Sequence, residues 1–363
     1  MKHYDEEEDF HARDRKQFRK ERKLAQSTDR SKFKKTDLPS AGIKPILAQD
    51  HLHFGRVLSI SGEGSWVDCE GKLYLCSLKG LLKKEKSLTK NLIAVGDIVH
   101  FEILSEKAGA IVQVSPRLSH LSRTDISGRK EQLIAVNVDI AVISVSLVEP
   151  PLKPSLVDRY LIAAEKGNLH PVIVINKVDL LETASEEEKE LYRDFLSAYE
   201  PLGYPVLSVS TATGVGIESL KSLLQNKTSV FSGQSGVGKS SLLNACFGLT
   251  LKTGELTQKT AKGAHTTTMA ELIALPGGGY CVDTPGIRSF GIWSLKKEEV
   301  ITHFHDMAAF GENCKFPDCM HISEPSCAVI QALEEGKIAP LRYESYQTLL
   351  NESMSGDGKT SWG

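Results

Sequence analysis

A glycine-rich segment in the second half of the chain has the residue types and spacing of a phosphate-binding loop. It reads Gly233-Gln234-Ser235-Gly236-Val237-Gly238-Lys239-Ser240-Ser241. Glycines allow backbone N–H groups to turn inward around phosphates, and the first turn of a following helix adds partial positive charge. We predict that Lys239 contacts the β- and γ-phosphates of a nucleotide and that the hydroxyl of Ser240 binds Mg²⁺.

A second motif, farther upstream, can read a guanine base. It follows the apolar run 172–175 and reads Asn176-Lys177-Val178-Asp179. A carboxylate at Asp179 can accept hydrogen bonds from both N1–H and the exocyclic amine of guanine, a pair of donors that adenine lacks. We expect Asn176 to steady this loop and meet the base edge, and the stem of Lys177 to lie over the ring.

The two motifs come in an inverted order. In an ordinary GTPase the phosphate loop comes first along the chain and the base-reading motif last, whereas here the base-reading motif comes first. Both motifs are intact, so their order predicts a complete GTPase domain whose chain is circularly permuted. Ser210 and Thr211 lie between the motifs and are expected to form a second loop against the base.

A third motif, Asp283-Thr284-Pro285-Gly286, is expected to respond to the γ-phosphate. Asp283 is predicted to lie near the bound Mg²⁺, and the N–H of Gly286 is predicted to contact the γ-phosphate. The next residue is Ile287, where many GTPases have a glutamine that orients the attacking water. Because isoleucine cannot form that hydrogen bond, another group must orient the water.

The segment 263–268, between the phosphate loop and Asp283, offers such a group. Thr267 is expected to complete the Mg²⁺ coordination in the GTP-bound state, and His265 is a candidate for orienting the water. The alternative is that His265 is simply an exposed side chain in a glycine-containing loop.

Three cysteines and a histidine near the C-terminus have the spacing of a zinc site, within fourteen residues: Cys314, Cys319, His321 and Cys327. Three thiolates and an imidazole give Zn²⁺ a complete tetrahedral set, which is typical of a structural site. The surrounding residues suit loops, so a metal would stabilise a segment too small to form its own core. The alternative is that these are four unrelated side chains that bind no metal.

The other cysteines lie in strand or helix patterns and are expected in the core: Cys69, Cys76, Cys246 and Cys281.

The 363 residues are enough for two or three domains, and composition divides them into four parts. Residues 1–45 form a basic tail that is expected to be disordered. Residues 46–117 contain five short alternating runs, which predict a closed β-barrel of the OB type. Residues 118–292 alternate buried strands with helices, which predicts an α/β fold with a parallel sheet for the permuted GTPase domain. Residues 293–363 form a helical zinc-binding domain.

Positive charge is concentrated at the N-terminus although the formal net charge of the chain is −2. Residues 13–35 contain eleven Lys or Arg side chains against three acidic ones. This tail could bind a polyanion as a basic helix, or it could be a solubilising extension. The same alternatives hold for the lysine-rich segment 79–90 of the predicted barrel, which could follow a phosphate backbone or remain solvated.

The sequence argues against an integral membrane protein, since no stretch approaches the ~18 uninterrupted apolar residues that a membrane span needs. The charged N-terminus lacks the apolar region of a secretory signal. We therefore expect a cytoplasmic monomer whose seven cysteines are reduced thiols or metal ligands.

Together the motifs resemble those of the small-ribosomal-subunit biogenesis GTPases, the RsgA or YjeQ family. The likeness covers about residues 50 to 350 and includes the motif order, the preceding barrel and the Cys and His cluster. Ala264 departs from the family, whose members usually have arginine before this histidine. The resemblance implies binding to the 30S ribosomal subunit and 16S rRNA, assistance in late maturation, and ribosome-stimulated hydrolysis of GTP with Mg²⁺. It also implies one structural Zn²⁺.

Two other functions fit parts of the sequence. Ile287 in place of a glutamine fits an inert RNA-binding factor that uses GTP as a structural ligand. Single-turnover hydrolysis with and without 30S subunits separates that factor from a GTPase. An ATP-using enzyme is the second alternative, and Asp179 argues against it because adenine lacks the donors that this carboxylate would accept.

Overall fold

A computed structural model of the chain describes residues 52–79, 92–124, 131–250, 270–283 and 296–354. The predicted tail and all but the first residue of the segment 79–90 lie outside these residues. The described residues form two compact units, and each is described by itself. Residues 304–338 form the smaller unit, and the other described residues form the larger one.

The larger unit begins with a closed five-stranded barrel, which confirms the predicted OB-type architecture. Its strands are β1 (His53–Ile60), β2 (Ser65–Cys69), β3 (Lys72–Leu78), β4 (Ile98–Ser105) and β5 (Ala108–Val114). Strand β1 pairs with β2 and β4, β3 pairs with β2 and β5, and β5 pairs with β4, which closes the ring. Because side chains alternate along a strand, one set fills the interior: Val57, Val67, Tyr74, Val99, Phe101 and Ile111.

Three of the four cysteines that were expected in the core are buried. Cys76, Cys246 and Cys281 are buried, whereas Cys69 is only half-buried. Cys69 packs against the core of the barrel but is not fully buried, because it ends β2 at the two-residue turn to β3, where it pairs with Lys72. The last residue of a hairpin strand is open to solvent on more sides than a residue at its centre.

An α/β domain follows the barrel. A two-stranded ribbon of β6 (His120–Thr124) and β7 (Glu131–Val136), which the sequence patterns did not predict, leads into it. The sheet strands are β8 (Ile140–Val145), β9 (His170–Ile175), β10 (Val206–Ser208), β11 (Thr228–Ser232), β12 (Glu271–Ala274) and β13 (Tyr280–Asp283). Their order is β10-β9-β8-β11-β13-β12, and all of them run parallel except β12.

Helices occur in both units. In the larger unit they are α1 (Pro154–Lys166), α2 (Glu186–Tyr199), α3 (Ile217–Leu224), α4 (Lys239–Phe247) and α5 (Lys297–Val300). The smaller unit contains α6 (His305–Gly311) and α7 (Ala328–Glu334), and the chain then returns to the larger unit as α8 (Pro340–Met354). Short 3₁₀ turns lie at Val178–Glu182, Glu200–Leu202 and Ile301–His303.

Within the described residues, no helix is both long enough and apolar enough to cross a membrane.

Strand β8 separates the core of the α/β domain into two layers. Ala141, Ile143 and Val145 pack on one face with residues of α1 and α2. Ile140 and Val142 pack on the other face with residues of α3 and α4. An apolar strand buried on both faces is typical of a parallel sheet. The helices therefore hold β8, β9 and β11 with their carboxyl ends at one edge, where ligands bind in such sheets.

The barrel and the α/β domain share one sheet. Strand β1 pairs with β12 through Ser59 and Glu271, so eleven of the described strands form a continuous sheet. Polar side chains support this short pairing. Arg56 Nη1 donates to Thr228 Oγ1 at 2.6 Å, and the Tyr280 hydroxyl donates to Asp68 Oδ2 at 2.9 Å.

A buried ion pair attaches α8 to α1. The guanidinium of Arg342 on α8 donates to the carboxylate of Asp158 on α1, and the hydroxyl of Tyr199 donates to the same carboxylate at 2.9 Å. The side chains of Arg342 and Asp158 are 4% and 1% exposed. A second pair, between Arg159 and Glu352, lies one residue along α1 and nearer the surface.

We expect Arg342→Met to destabilise the larger unit by about 3–5 kcal/mol, because it leaves the carboxylate of Asp158 buried without its cation. Urea unfolding followed by circular dichroism measures the change. Lys221→Met is the matched control, since Lys221 pairs with Glu218 on an exposed helix face. A loss below about 1 kcal/mol, the scale of a surface pair, would show that the carboxylate does not depend on Arg342.

Candidate functional site

The glycine-rich loop connects β11 to α4, as predicted, with Lys239 as the first residue of the helix. Two of its glycines are required by close contacts. Gly233 has φ +132°, and a Cβ there would lie 2.0 Å from the carbonyl oxygen of Ser144. Gly238 has φ +90°, and a Cβ there would lie 2.5 Å from Nδ2 of Asn176. A side chain at either position would force the loop away from the neighbouring strands.

The ammonium group of Lys239 lies inside its own loop. Its Nζ donates to the carbonyl oxygens of Gly233 at 2.8 Å and Gln234 at 2.7 Å. Ser240 is the second residue of α4, and its side chain is buried. A cation and a hydroxyl at the start of a helix, next to a turn of glycines, form a site for phosphate groups and a metal ion.

Asn176 joins the two halves of the site directly. It follows β9, and its Nδ2 donates to the carbonyl oxygen of Val237 at 2.8 Å. The side chain is 1% exposed, and Oδ1 has no hydrogen-bond partner within the described residues. The base-reading motif and the phosphate loop, which are 61 residues apart at this contact, therefore meet in the folded chain.

The rest of the base-reading motif forms a turn next to the loop after β10. The hydroxyl of Ser210 donates to Oδ1 of Asp179 and accepts from the N–H of Thr213 at 3.2 Å. Thr211 lies in the turn that follows Ser210, and Val178 donates its N–H to the carbonyl of Val209 at 3.2 Å. The structure thus brings the two predicted base loops together.

Lys177 has a partner that the motif did not predict. This residue has φ +62°, and its Nζ donates to the backbone carbonyl of Glu149 at 2.8 Å. Glu149 belongs to the loop between β8 and α1, and a Cβ at Gly236 would lie 3.8 Å from Cδ of Pro150 in the same loop. The loop after β8 therefore borders the site, although it carries no nucleotide-binding motif.

Tyr160 on α1 is another residue that motif reasoning missed. Burial raises the pKa of its hydroxyl, the backbone N–H of Gly233 opposes that rise, and the ring is 1% exposed. The sequence pattern identifies Tyr160 as one more core residue of an amphipathic helix. The only sign of a further role is its hydroxyl group, since a buried tyrosine hydroxyl usually has a hydrogen-bond partner.

Asp283 ends β13, which pairs with β11, so its backbone lies at the same edge of the sheet as the phosphate loop. His265, Thr267 and Gly286 lie outside the described residues, as do Ala264 and Ile287. Their predicted roles remain predictions.

The smaller unit brings Cys314, Cys319, His321 and Cys327 together, with their ligand atoms all within 4.8 Å of one another. Nδ1 of His321 lies 3.4 Å from both Cys314 Sγ and Cys327 Sγ, which are 3.8 Å apart. Ligands about 2.3 Å from a tetrahedral Zn²⁺ are separated by about this distance. The group could therefore hold a metal ion of that size and preference.

The electrostatics of this cluster favour a bound cation. Burial raises the pKa of the Cys319 thiol, and charge on Cys314 or Cys327 would raise it further. Burial also raises the pKa of Cys327. Several thiolates cannot coexist here at neutral pH unless a cation compensates them, because like charges in a buried site repel.

A carboxylate organises the loop between the last two cluster ligands. Burial acts to raise the pKa of Glu324, but donation from the N–H groups of Met320, Ile322 and Ser323 outweighs it and lowers this pKa to about 2. The ionised form of Glu324 thus satisfies three backbone donors near the cluster.

The fold and the site together define a circularly permuted GTPase. The strand order is that of a complete nucleotide-binding sheet, whereas the base-reading motif precedes the phosphate loop in the chain. The model of the RsgA GTPase family matches residues 114–293. A solved structure titled as YloQ, a circularly permuted GTPase, has a TM-score of 0.64 and 27% identity, covering 87% of this chain and all of that one.

The chain belongs to the RsgA family of GTPases, which hydrolyse GTP. The small ribosomal subunit biogenesis GTPase RsgA of Haemophilus influenzae is 39% identical over 292 residues, covering 79% of this chain and 80% of that protein. The protein of the same name from Chlorobaculum parvum is 44% identical over 271 residues, covering 72% and 85%. The crystal structure of YjeQ from Thermotoga maritima has a TM-score of 0.67 and 35% identity, covering 84% and 99%.

We expect Asp179→Asn to weaken GTP binding by about tenfold or more and to permit binding of XTP. The amide would place an N–H group opposite a donor of guanine, whereas xanthine has a carbonyl at that position. Displacement of labelled GDP by each nucleotide measures the change, with the exposed Asp194→Asn as control. Unchanged GTP affinity with continued rejection of XTP would show that Asp179 does not read the base.

We expect purified protein to contain about one zinc ion per chain and Cys319→Ser to contain almost none, because loss of one thiolate opens a tetrahedral site. Elemental analysis after gel filtration measures the zinc. Cys69→Ser, outside the cluster, is the control. Equal zinc content in wild type and Cys319→Ser would contradict a site made of these four ligands.

Proposed function

We propose that this protein is a GTPase that binds the small (30S) ribosomal subunit, assists its late maturation, and hydrolyses GTP to GDP and phosphate with stimulation by the ribosome. The hydrogen bond from Asn176 to Val237 carries the nucleotide part of the proposal, because it joins a guanine-reading turn to a phosphate loop. The names of the Haemophilus influenzae and Chlorobaculum parvum relatives, small ribosomal subunit biogenesis GTPases, support the ribosomal part.

The nucleotide is assigned to the residues of three motifs and their neighbours. Asp179 selects guanine, Asn176 and Lys177 position the base, and Ser210 orients the carboxylate of Asp179 through its hydroxyl. Backbone N–H groups of the loop 233–241 surround the phosphates. Thr211 belongs to the base-binding loop, and Gly286 is assigned the contact with the γ-phosphate.

Lys239 is the main cationic group of the reaction. When GTP binds, its ammonium exchanges the carbonyls of Gly233 and Gln234 for phosphate oxygens, which carry full charge and form stronger hydrogen bonds. Phosphoryl transfer needs little covalent help from the protein, so positioning and charge stabilisation supply most of the acceleration.

Ser240 and Thr267 are proposed to coordinate Mg²⁺, and Asp283 is proposed to lie near the ion without coordinating it directly. Mg²⁺ held by these residues would supply positive charge that offsets the charge of the phosphate groups.

The attacking water requires a group other than residue 287. Ile287 has no polar atom, so His265 is proposed to orient the water, as the histidine of the segment between the phosphate loop and Asp283. Stimulation by the ribosome would then consist of placing that side chain at the γ-phosphate.

One structural Zn²⁺ is proposed for the smaller unit, held by the three thiolates and Nδ1 of His321. Such an ion would cross-link the loop that contains Cys314 and Cys319 to the start of α7, just after Cys327. It would have four protein ligands and no open position, so it would stabilise the unit without taking part in hydrolysis.

The barrel is proposed to contact 16S rRNA. Phe54 on β1 is 58% exposed, and its ring meets that of His100 edge-on at 5.0 Å between centroids. Leu104 is 63% exposed, and Lys72 lies at the start of β3. Exposed aromatic rings bind single-stranded RNA by stacking, and cationic groups bind it through phosphate contacts. The protein is proposed to act in the cytoplasm as a monomer, with the tail 1–45, the barrel 46–117, the GTPase domain 118–292 and the zinc-binding domain 293–363 as its parts.

Single-turnover hydrolysis of GTP with and without 30S subunits tests the proposal. We expect 30S subunits to accelerate wild type, and Lys239→Ala to lose about 10²–10³-fold of the stimulated rate, as on removal of a major charge-stabilising group. Lys221→Ala, an exposed lysine on α3, is the control. Stimulated turnover of Lys239→Ala within tenfold of wild type would contradict the assignment of the phosphate loop. Absence of acceleration in wild type would support an inert RNA-binding factor instead.

A further inference from the structure

Glu324 accepts hydrogen bonds from three backbone N–H groups of one short loop in the smaller unit. Its Oε1 accepts from Met320 at 2.7 Å. Its Oε2 accepts from Ile322 at 2.9 Å and from Ser323 at 3.1 Å. Hydrogen bonds to an ionised acceptor are roughly twice as strong as those between neutral groups. Both oxygens of this carboxylate therefore hold the backbone of the loop 320–323.

The same loop contains His321, one of the four members of the Cys and His cluster. Met320 precedes His321 and Ile322 follows it, so two of the three donors flank this residue along the chain. Because peptide groups are planar, a residue can rotate only about φ and ψ. Anchoring the N–H groups on both sides of His321 restricts the rotation that would turn its side chain away from the cluster.

His321 has a backbone conformation that requires such support. Its φ is +59°, in the left-handed region, which costs a residue other than glycine about 1–3 kcal/mol and persists only where the surroundings hold it. A turn with a left-handed residue can direct successive N–H groups toward one anion, which is the arrangement around Glu324. The carboxylate thus stabilises the conformation that presents His321 to the thiols.

The imidazole ring of His321 is also closely packed. The residue is 1% exposed, and a Cβ at Gly311 would lie 3.4 Å from both Cε1 and Nε2 of the ring. The other nitrogen, Nδ1, is 3.4 Å from Sγ of Cys314 and of Cys327. With its backbone held by the carboxylate and its ring packed at the end of α6, His321 keeps Nδ1 among the thiols.

We propose that Glu324 is a positioning residue for the metal site: its carboxylate holds the loop 319–323 in the conformation in which Cys319 and His321 bind the ion together. This inference rests on the proposed zinc site. Glu324 is not itself a ligand, since four other side chains complete a tetrahedral set. Because the carboxylate orders the loop, less of the free energy of metal binding is spent on ordering it, and the ion binds more tightly.

Zinc affinity tests the proposal, measured on the full-length chain by competition with a chromophoric chelator. Glu324→Gln keeps the size of the side chain but replaces one accepting oxygen with an amide group that cannot accept. We expect it to lose about 10–100-fold in zinc affinity, the scale seen when a group that orients a metal ligand is removed. Glu335→Gln, which changes a carboxylate paired with Lys337 on the surface of the same unit, should match wild type.

Cobalt(II) in place of zinc reports the geometry of the site, because its visible absorption depends on the number and arrangement of its ligands. At saturating cobalt we expect Glu324→Gln to show weakened or displaced tetrahedral bands, since His321 is held less firmly. Glu335→Gln should give the wild-type spectrum. A carboxylate that only stabilised the unit, without orienting the ligands, would leave these bands unchanged.

The outcomes separate this inference from the zinc site itself. Wild-type zinc affinity and a wild-type cobalt spectrum in Glu324→Gln would overturn the positioning role. If Cys319→Ser loses zinc in the same titration, the site of four ligands stands and only this inference fails.

A variant that does not fold without metal remains informative. If circular dichroism shows that Glu324→Gln has lost helix content, excess zinc should restore it, because the free energy of metal binding is also free energy of folding. Failure of excess zinc to restore the wild-type spectrum would show that Glu324 is needed for the fold of the unit as a whole, and it would overturn the positioning role.

Discussion

The contact between Asn176 and Val237 is the constraint on which the rest of the structure depends. One hydrogen bond of 2.8 Å joins the turn that reads the base to the loop that holds the phosphates. It requires β9 and β11 to end at the same edge of the sheet, with β8 between them. The chain can pass through these strands in any order, provided that each strand keeps the same neighbours in the sheet. This is why a permuted sequence can retain a complete nucleotide site.

Local patterns were sufficient to predict much of this arrangement. Strand β8 and helix α2 are two of the buried strands and helices whose alternation the sequence pattern of residues 118–292 predicts. The first is an apolar run interrupted only by Ser144, and the second begins with a capping box in which Ser185 and Glu188 satisfy each other's backbone N–H groups. The ribbon of β6 and β7 was missed, because its short mixed sequence acquires strand structure from pairing rather than from its own periodicity.

Contacts between distant segments were beyond sequence reasoning. Asp158 and Arg342 are 184 residues apart, and in a helical pattern each looks like a residue of a solvated face. Their burial follows from the packing of α1 on α8. The same holds for the junction with the barrel, where the hydroxyl of Tyr280 donates to Asp68. Tyr280 begins the strand that ends at Asp283, so the barrel braces a strand that leads to the nucleotide site.

The distance between Asp158 and Arg342 along the chain also has a consequence for biosynthesis. A translating ribosome adds about 5–20 residues per second, so the 184 residues added after Asp158, up to Arg342, take roughly 10–40 s to make. During that time α1 lacks the cation that neutralises its buried carboxylate. The nascent GTPase domain therefore completes its folding only after the cysteine-containing segment has been synthesised and α8 has emerged. Truncated products that end before residue 340 would lack this pair, and a fully stable domain would come from full-length chains.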